Sequence, residues 1–272
     1  MSSFVALDFQ APSLREHPLG PRCLELKAKL DQIFAKELAK QVDVVDSLNP
    51  LELGYKEPEI ILGWGADATV LDIGDQLACR IPKKETFDGD NGKKRIGEFQ
   101  ARALCKIRDS NDAQLQQATP IIKAYDPDSG TVLMSKVNSE RCLEMFKNLN
   151  TDQIKGITVE QLTNFFTTID KLTKLGIQLE LRNANIFYNL CNGFKLIDMI
   201  SIPGKEAPSQ DFMLHELESW VDETIHQCQQ AGRECSEIVN NLKTKIKEAL
   251  TAISITKADL KLSRLPGLLD WN

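Results

Sequence analysis

The spacing of apolar positions changes along this chain, and each change marks a different kind of element. Residues 60–80, IILGWGADATVLDIGDQLACR, begin as an apolar run, pass through Gly63-Trp64-Gly65, alternate from Ala68 and Val70, and turn at Ile73-Gly74-Asp75. That pattern predicts strand, glycine loop, strand, turn and strand. In KKRIGEFQARALCKI the period lengthens, with Ile96, Phe99, Ala103, Leu104 and Ile107 on one face of a helix. TVLMSKVN then reads as a buried strand, and residues 159–174 as a helix burying Leu162, Phe165, Phe166, Ile169 and Leu172. A helix over residues 22–39 carries Leu24, Leu26, Leu30, Ile33, Phe34 and Leu38. Its polar face mixes both charge signs, so it is expected to pack on the body rather than on a membrane. Two closing helices, 211–230 and 235–253, are separated by Ala231-Gly232, with Leu217 and Trp220 as anchors of the first. Residues 1–20 are aperiodic and contain Pro and Ser, which predicts a flexible lead-in. The closing LSRLPGLLDWN is apolar and is expected to dock on the body or serve as an exposed peptide for a partner.

The segment GIQLELRNANIFYNLCNGFKLIDMIS, residues 176–201, carries the clearest chemistry. Its strand-like IFY, the turn NLCNG and a second strand ending at Asp198 make a hairpin. Asn185 at the entrance and Asp198 at the exit would share one end, where a hard cation with oxygen ligands could sit. The alternative is a plain surface hairpin. The glycines at 63 and 65 let a backbone approach phosphates closely. The dinucleotide-binding reading needs a helix next, and a strand comes instead.

Together these segments resemble a protein-kinase fold over residues 60–201, and the compact size resembles the small secreted effector kinases of pathogenic bacteria. The fold class implied is α+β: a two-lobed protein-kinase-like fold with a small β-rich N-lobe and a reduced, mainly helical C-lobe. The expected division is 1–55 for the N-terminus and its helix, 56–137 for the N-lobe and 138–272 for the C-lobe. Gly63 and Gly65 match the first two glycines of the family's loop, and Ala68 stands where the third would be. Arg80, ending Ala78-Cys79-Arg80, occupies the place of the phosphate-pairing lysine, and Glu98 resembles its partner glutamate. Met134 takes the gatekeeper position, with Ser135 to Val137 offering backbone groups to an adenine. The resemblance therefore implies ATP held by Gly63, Gly65, Val70, Ala78, Arg80, Met134, Ser135 and Val137. It implies Mg²⁺ or Mn²⁺ held by Asn185 and Asp198, and catalysis by Glu180, Arg182, Arg80 and Glu98.

Besides Ala68 in the glycine loop, the motifs depart from the family in four places. Gln178-Leu179-Glu180 replaces His-Arg-Asp, Arg182 replaces a phosphate-contacting lysine, Asp198-Met199-Ile200 replaces Asp-Phe-Gly, and Arg80 replaces lysine. Glu180 can still accept a hydroxyl proton, but its extra methylene moves the carboxylate by roughly 1 Å, which can cost about 100-fold. An arginine fork does not reproduce a compact ammonium, and this adds a second loss on the order of 100-fold. Gln178 removes the histidine that braces this loop, and Met199-Ile200 stiffens the backbone immediately after Asp198. The short run to the next helix, broken by Pro203-Gly204 and Ala207-Pro208-Ser209, leaves no room for a phosphorylation-switched loop.

Whole-chain properties bound the partners. At 272 residues with 42% hydrophobic positions the chain can bury a full core. No run is apolar enough to span a membrane and the N-terminus lacks a signal-peptide pattern, which leaves specialised export open. Seven cysteines without a C-x-x-C pair fit reduced thiols in a cytosol, the chain's own or a host's after such export. The histidines, His17, His215 and His226, are too scattered for zinc. A net charge of −6 argues against nucleic acid as a partner. Locally, Lys83, Lys84, Lys93, Lys94, Arg95, Lys106 and Arg108 form either a solvated face or a docking patch for an acidic partner. Three functions stay open: an atypical kinase acting on a protein substrate, a pseudokinase engaging a host protein or other partner, and a small-molecule kinase of the aminoglycoside type.

Overall fold

A computed structural model describes residues 9–38, 50–51, 55–57, 60–65, 67–83, 92–205, 208–230 and 236–253. The expected docking of LSRLPGLLDWN lies outside them. The fold is α+β, as the resemblance implies, and the chain divides into two compact units. One comprises Met1–Asn111, Pro120–Lys136 and Ile200–Pro203; the other comprises Asp112–Thr119, Val137–Met199 and Gly204–Asn272.

The first unit is built on an antiparallel five-stranded sheet in the order β1-β2-β3-β5-β4. Its strands are β1 (Ile61–Trp64), β2 (Ala68–Gly74), β3 (Leu77–Pro82), β4 (Ile122–Asp126) and β5 (Thr131–Ser135). Register pairs Leu71 with Cys79 and Cys79 with Leu133, so these side chains share one face. With Ile81 and Ala124 they bury against Cys23, Leu26, Leu30 and Phe34 of helix α1 (Gly20–Leu38). The amphipathic stripe read at residues 22–39 is thus spent on the sheet from Leu24 to Phe34, and the side chain of Leu38 lies outside the described residues. Helix α2 (Gly92–Asp109) lies against β3, β4 and β5, with Ala101, Ala103, Leu104 and Ile107 buried. Close approach there depends on Gly97, where an added Cβ would sit 2.1 Å from the carbonyl oxygen of Gly130 in the β4–β5 turn.

The flexible lead-in expected for residues 1–20 does not describe residues 9–20. Ser13 bridges Tyr125 of edge strand β4, whose amide donates to the Pro12 carbonyl at 2.9 Å, and Leu14 is fully buried in the α1 core. Phe9 packs on Tyr125 and lies beneath the Arg102 guanidinium of α2, while Arg108 donates to the Gln10 carbonyl at 2.7 Å. Covering an edge strand satisfies backbone groups that would otherwise face solvent.

The second unit is mainly helical: α3 (Ala113–Ala118), α4 (Cys142–Lys147), α5 (Thr151–Gly156), α6 (Val159–Lys174), α7 (Gln210–Gln230) and α8 (Ser236–Ala252). Short strands β6 (Glu140–Arg141), β7 (Gln178–Leu179), β8 (Ile186–Asn189) and β9 (Gly193–Leu196) complete it, and β6, β8 and β9 form a sheet. α6 has the predicted bounds because Thr158 and Gln161 close a capping box at its start. All five of its predicted apolar residues are buried. Trp220 of α7 is fully buried among Phe165, Phe166 and Phe194, with ring centroids 5.1, 6.0 and 6.0 Å away, and Leu217, three residues earlier on α7, is buried too. No helix among the described residues is long and apolar enough to cross a membrane.

Candidate functional site

In the first unit, strand register decides which predicted residues share a face. Val70 pairs with Arg80, Ala78 with Met134 and Arg80 with Val132, so Val70, Ala78, Arg80 and Met134 lie on the face opposite α1. Arg80 is 7% exposed. Glu98, on α2, accepts from Arg102 one helical turn later at 3.2 Å. Its charge is felt by Tyr125, whose hydroxyl is pushed to a higher pKa by burial first and by Glu98 next.

The β1–β2 loop closes tightly, with the Gly65 amide donating to the Ala68 carbonyl at 3.0 Å. Gly63 pairs with Val70 directly beside it. A Cβ added to Gly65 would meet nothing within 4 Å, and its φ lies outside the left-handed range. The fold therefore does not require glycine there, and the space above the loop is open to a ligand.

The segment after β5 is held by the β2–β3 hairpin. Ser135 donates its amide to the Ile121 carbonyl at 2.9 Å, and Lys136 donates its own to Gln76 at 2.7 Å. The Lys136 ammonium pairs with Asp72, which with the Gly74 amide holds that carboxyl below its ordinary range. Of the three residues expected to face an adenine, Ser135 and Lys136 thus have their amides engaged.

The basic cluster proves heterogeneous. Lys83 is 3% exposed, with its ammonium 5.5 Å from the Phe34 ring centroid of α1. It sits two residues beyond Ile81, on the α1 side of β3, and therefore cannot take the place of Arg80. Arg108 engages Asp109 and the Gln10 carbonyl. Arg95 and Lys106 are exposed, while the side chains of Lys84, Lys93 and Lys94 lie outside the described residues.

In the second unit, the predicted hairpin forms. Ile186 pairs with Leu196 and the Ile197 amide donates to the Asn185 carbonyl at 3.1 Å, which puts Asn185 and Asp198 at the open end of β8–β9. Asn185 turns its Nδ2 toward Glu180, donating to the carbonyl at 3.3 Å and to Oε2 at 3.4 Å. This leaves Oδ1 as the oxygen available to a cation. Arg182 closes on Glu180 Oε1 at 2.8 Å, and both side chains are at least half exposed. Among the described residues no group of three or more His, Cys, Asp or Glu side chains could hold a metal by itself. An amide oxygen and a carboxylate suit Mg²⁺ completed by substrate phosphates and water, because that ion commonly takes only one or two protein carboxylates.

The loop between β7 and β8 rests on α7, a support with no counterpart in the sequence pattern. Leu181 donates its amide to Glu216 at 2.9 Å, and Asn183 donates its own to Glu223 at 2.9 Å. Asn183 is fully buried, with Nδ2 donating to Gln227 at 3.0 Å and Oδ1 accepting from Thr224 at 3.2 Å. These contacts brace the loop from α7. In the first unit, Ser201 donates its amide to the Phe99 carbonyl of α2 at 2.9 Å and is itself buried.

No protein-family model matches the chain, and no curated protein does at a significant level. Among solved structures, the apo form of a pseudokinase is similar over 73% of this chain and 84% of that chain, at a TM-score of 0.46 and 8% sequence identity.

Proposed function

We propose that this chain is an atypical protein kinase that binds ATP with Mg²⁺ or Mn²⁺ and passes the γ-phosphate slowly to a protein hydroxyl. The observation that carries the reading is the hairpin end shared by Asn185 and Asp198, with the Asn185 amide nitrogen engaged by Glu180 and its oxygen left for a cation. When bound, the metal would neutralise phosphate charge. The rest falls to the chain's own groups. Val70, Ala78 and Met134 offer an apolar face to a base, Arg80 a buried positive charge on that face, and the loop at Gly63 and Gly65 a backbone open to phosphate. Glu180 is the base for the acceptor hydroxyl, and Arg182 is the neighbouring cation for transferred phosphate.

A pseudokinase is the second reading, favoured by one observation: both Glu180 carboxylate oxygens are engaged, Oε1 by Arg182 and Oε2 by Asn185. A carboxylate held at both oxygens is less free to turn toward an acceptor hydroxyl, although each oxygen keeps a lone pair. Single-turnover transfer of labelled γ-phosphate to the protein itself, to water and to general protein acceptors separates the two. Two losses of about 100-fold applied to a kinase turnover of about 1–100 per second predict roughly 0.0001–0.01 per second. Transfer in that range, abolished by Glu180→Ala, supports the kinase. Nucleotide binding with transfer no faster than in Glu180→Ala supports the pseudokinase.

A further inference from the structure

The loop carrying Glu180, Arg182 and Asn185 is fastened to α7 by a closed ring of hydrogen bonds through one residue. The Asn183 amide donates to Glu223 Oε2 at 2.9 Å; Glu223 Oε1 accepts from Gln227 Nε2 at 2.9 Å; Gln227 Oε1 accepts from Asn183 Nδ2 at 3.0 Å. The hydroxyl of Thr224 closes the last vertex on Asn183 Oδ1 at 3.2 Å. Asn183 and Thr224 are fully buried and Gln227 is 9% exposed, so solvent is kept from the bonds among these three, while Glu223 is half-buried. Two residues on, Asn185 donates its amide to the Arg182 carbonyl at 2.8 Å within the same tight turn. Any shift at Asn183 is thereby passed to Asn185.

We infer that Asn183, through its ring with Thr224, Gln227 and Glu223, is the positioning residue that sets the Asn185 carboxamide for a divalent cation. This rests on the nucleotide-binding reading above for its metal half, while the ring itself does not. Directionality makes the claim sharp. Every amide in the ring is fixed in orientation, because turning Gln227 to satisfy one neighbour sets oxygen against oxygen at the other.

Asn183→Asp keeps the shape but replaces a donor by an acceptor facing Gln227 Oε1. In Asn183→Asp with Glu223→Gln, Gln227 can turn, donate to the new carboxylate at 183 and accept from the new amide at 223. The ring is then restored in the opposite sense with its net charge unchanged. Two readouts are taken on the full chain: hydrogen exchange of the amides of Leu181, Asn183 and Asn185 without ligand, and the Mg²⁺ half-saturation of the ATP-induced thermal shift. Asn183→Asp is expected to speed exchange about tenfold or more. It should also raise the Mg²⁺ half-saturation by about 10–100-fold, the usual effect of losing a group that orients a ligand. The double variant should recover both. Thr224→Val, which deletes a single hydroxyl, should move both in the same direction by less and serves if the double variant does not fold.

Unchanged exchange in Asn183→Asp and Thr224→Val would overturn the inference. Faster exchange with an unchanged Mg²⁺ half-saturation would overturn the positioning role and leave a structural brace. A wild-type chain with no metal-dependent shift would overturn the nucleotide reading and the metal half of this inference together. The exchange measurement would still decide the ring separately.

Discussion

Replacing Gly97 by alanine sets helix propensity against packing, and the geometry says which wins. In isolation the change should stabilise an α-helix by about 1 kcal/mol. Here the new Cβ would lie 2.1 Å from the Gly130 carbonyl oxygen, 3.0 Å from its carbon and 3.2 Å from its Cα. All three are backbone atoms, so no side chain can swing away. Overpacking of this kind costs about 1–3 kcal/mol and occasionally more, and so short a contact belongs at the upper end. The net loss is about 2 kcal/mol, or roughly 4–8 °C in Tm for a chain of this size. Gly65→Ala is the control: its Cβ meets nothing within 4 Å, so Tm should stay within about 2 °C. Differential scanning calorimetry of both variants makes the comparison. A Gly97→Ala protein as stable as wild type, or more so, would refute the close approach of α2 to the β4–β5 turn. Gly65→Ala should leave Tm alone yet weaken ATP binding, since only a ligand gives that glycine a reason.

Three further outcomes are expected. Trp220→Ala should cost about 3–5 kcal/mol in urea unfolding, because the indole is fully buried among three phenylalanine rings; a loss below about 1 kcal/mol would contradict that packing. Asp222 has its carboxyl pushed up by burial first and by neighbouring Glu218 second. A raised carboxyl lends stability below its unfolded pKa of about 3.9 and loses it as pH rises through the folded value. Asp222→Asn should therefore raise Tm at about pH 8 and gain less at about pH 4, and a pH-independent difference would refute the assignment. Among the described cysteines only Cys191 is exposed, the other five being buried. In a Cys235→Ser background, a thiol reagent should label the native protein rapidly at Cys191 and slowly elsewhere, and Cys191→Ser should remove the fast phase.

Where the sequence carried a period, it was legible. The α6 stripe from Leu162 to Leu172 is local, and the helix it predicts has the bounds observed. The β8–β9 hairpin was likewise readable from its NLCNG turn, and with it the shared end for Asn185 and Asp198. Residues 9–20 were not, because a segment pairing through its backbone along β4 and anchored by a single leucine has no period to read. Lys83 looked like surface charge by composition. Its burial became clear from strand parity once Ile81 was known to face α1. The Arg102–Glu98 contact was available as an i,i+4 pair but is obvious only beside the Phe9 ring that fixes Arg102. The Asn183 ring joins residues 40 to 44 positions apart, and no local signal in NAN announces partners on a later helix.

A metal-assisted nucleotide site at Asn185 and Asp198 is tested most directly by a thermal-shift titration with ATP, with and without Mg²⁺ and Mn²⁺, on the wild type, Asn185→Ala and Asp198→Ala. Binding to the folded state alone stabilises it by about 2.7 kcal/mol at 100 times the Kd, a readily measured change. The account predicts a metal-dependent shift in the wild type that is lost in both variants. A wild type whose Tm ATP does not move under any metal, or a shift that survives both substitutions, would contradict it.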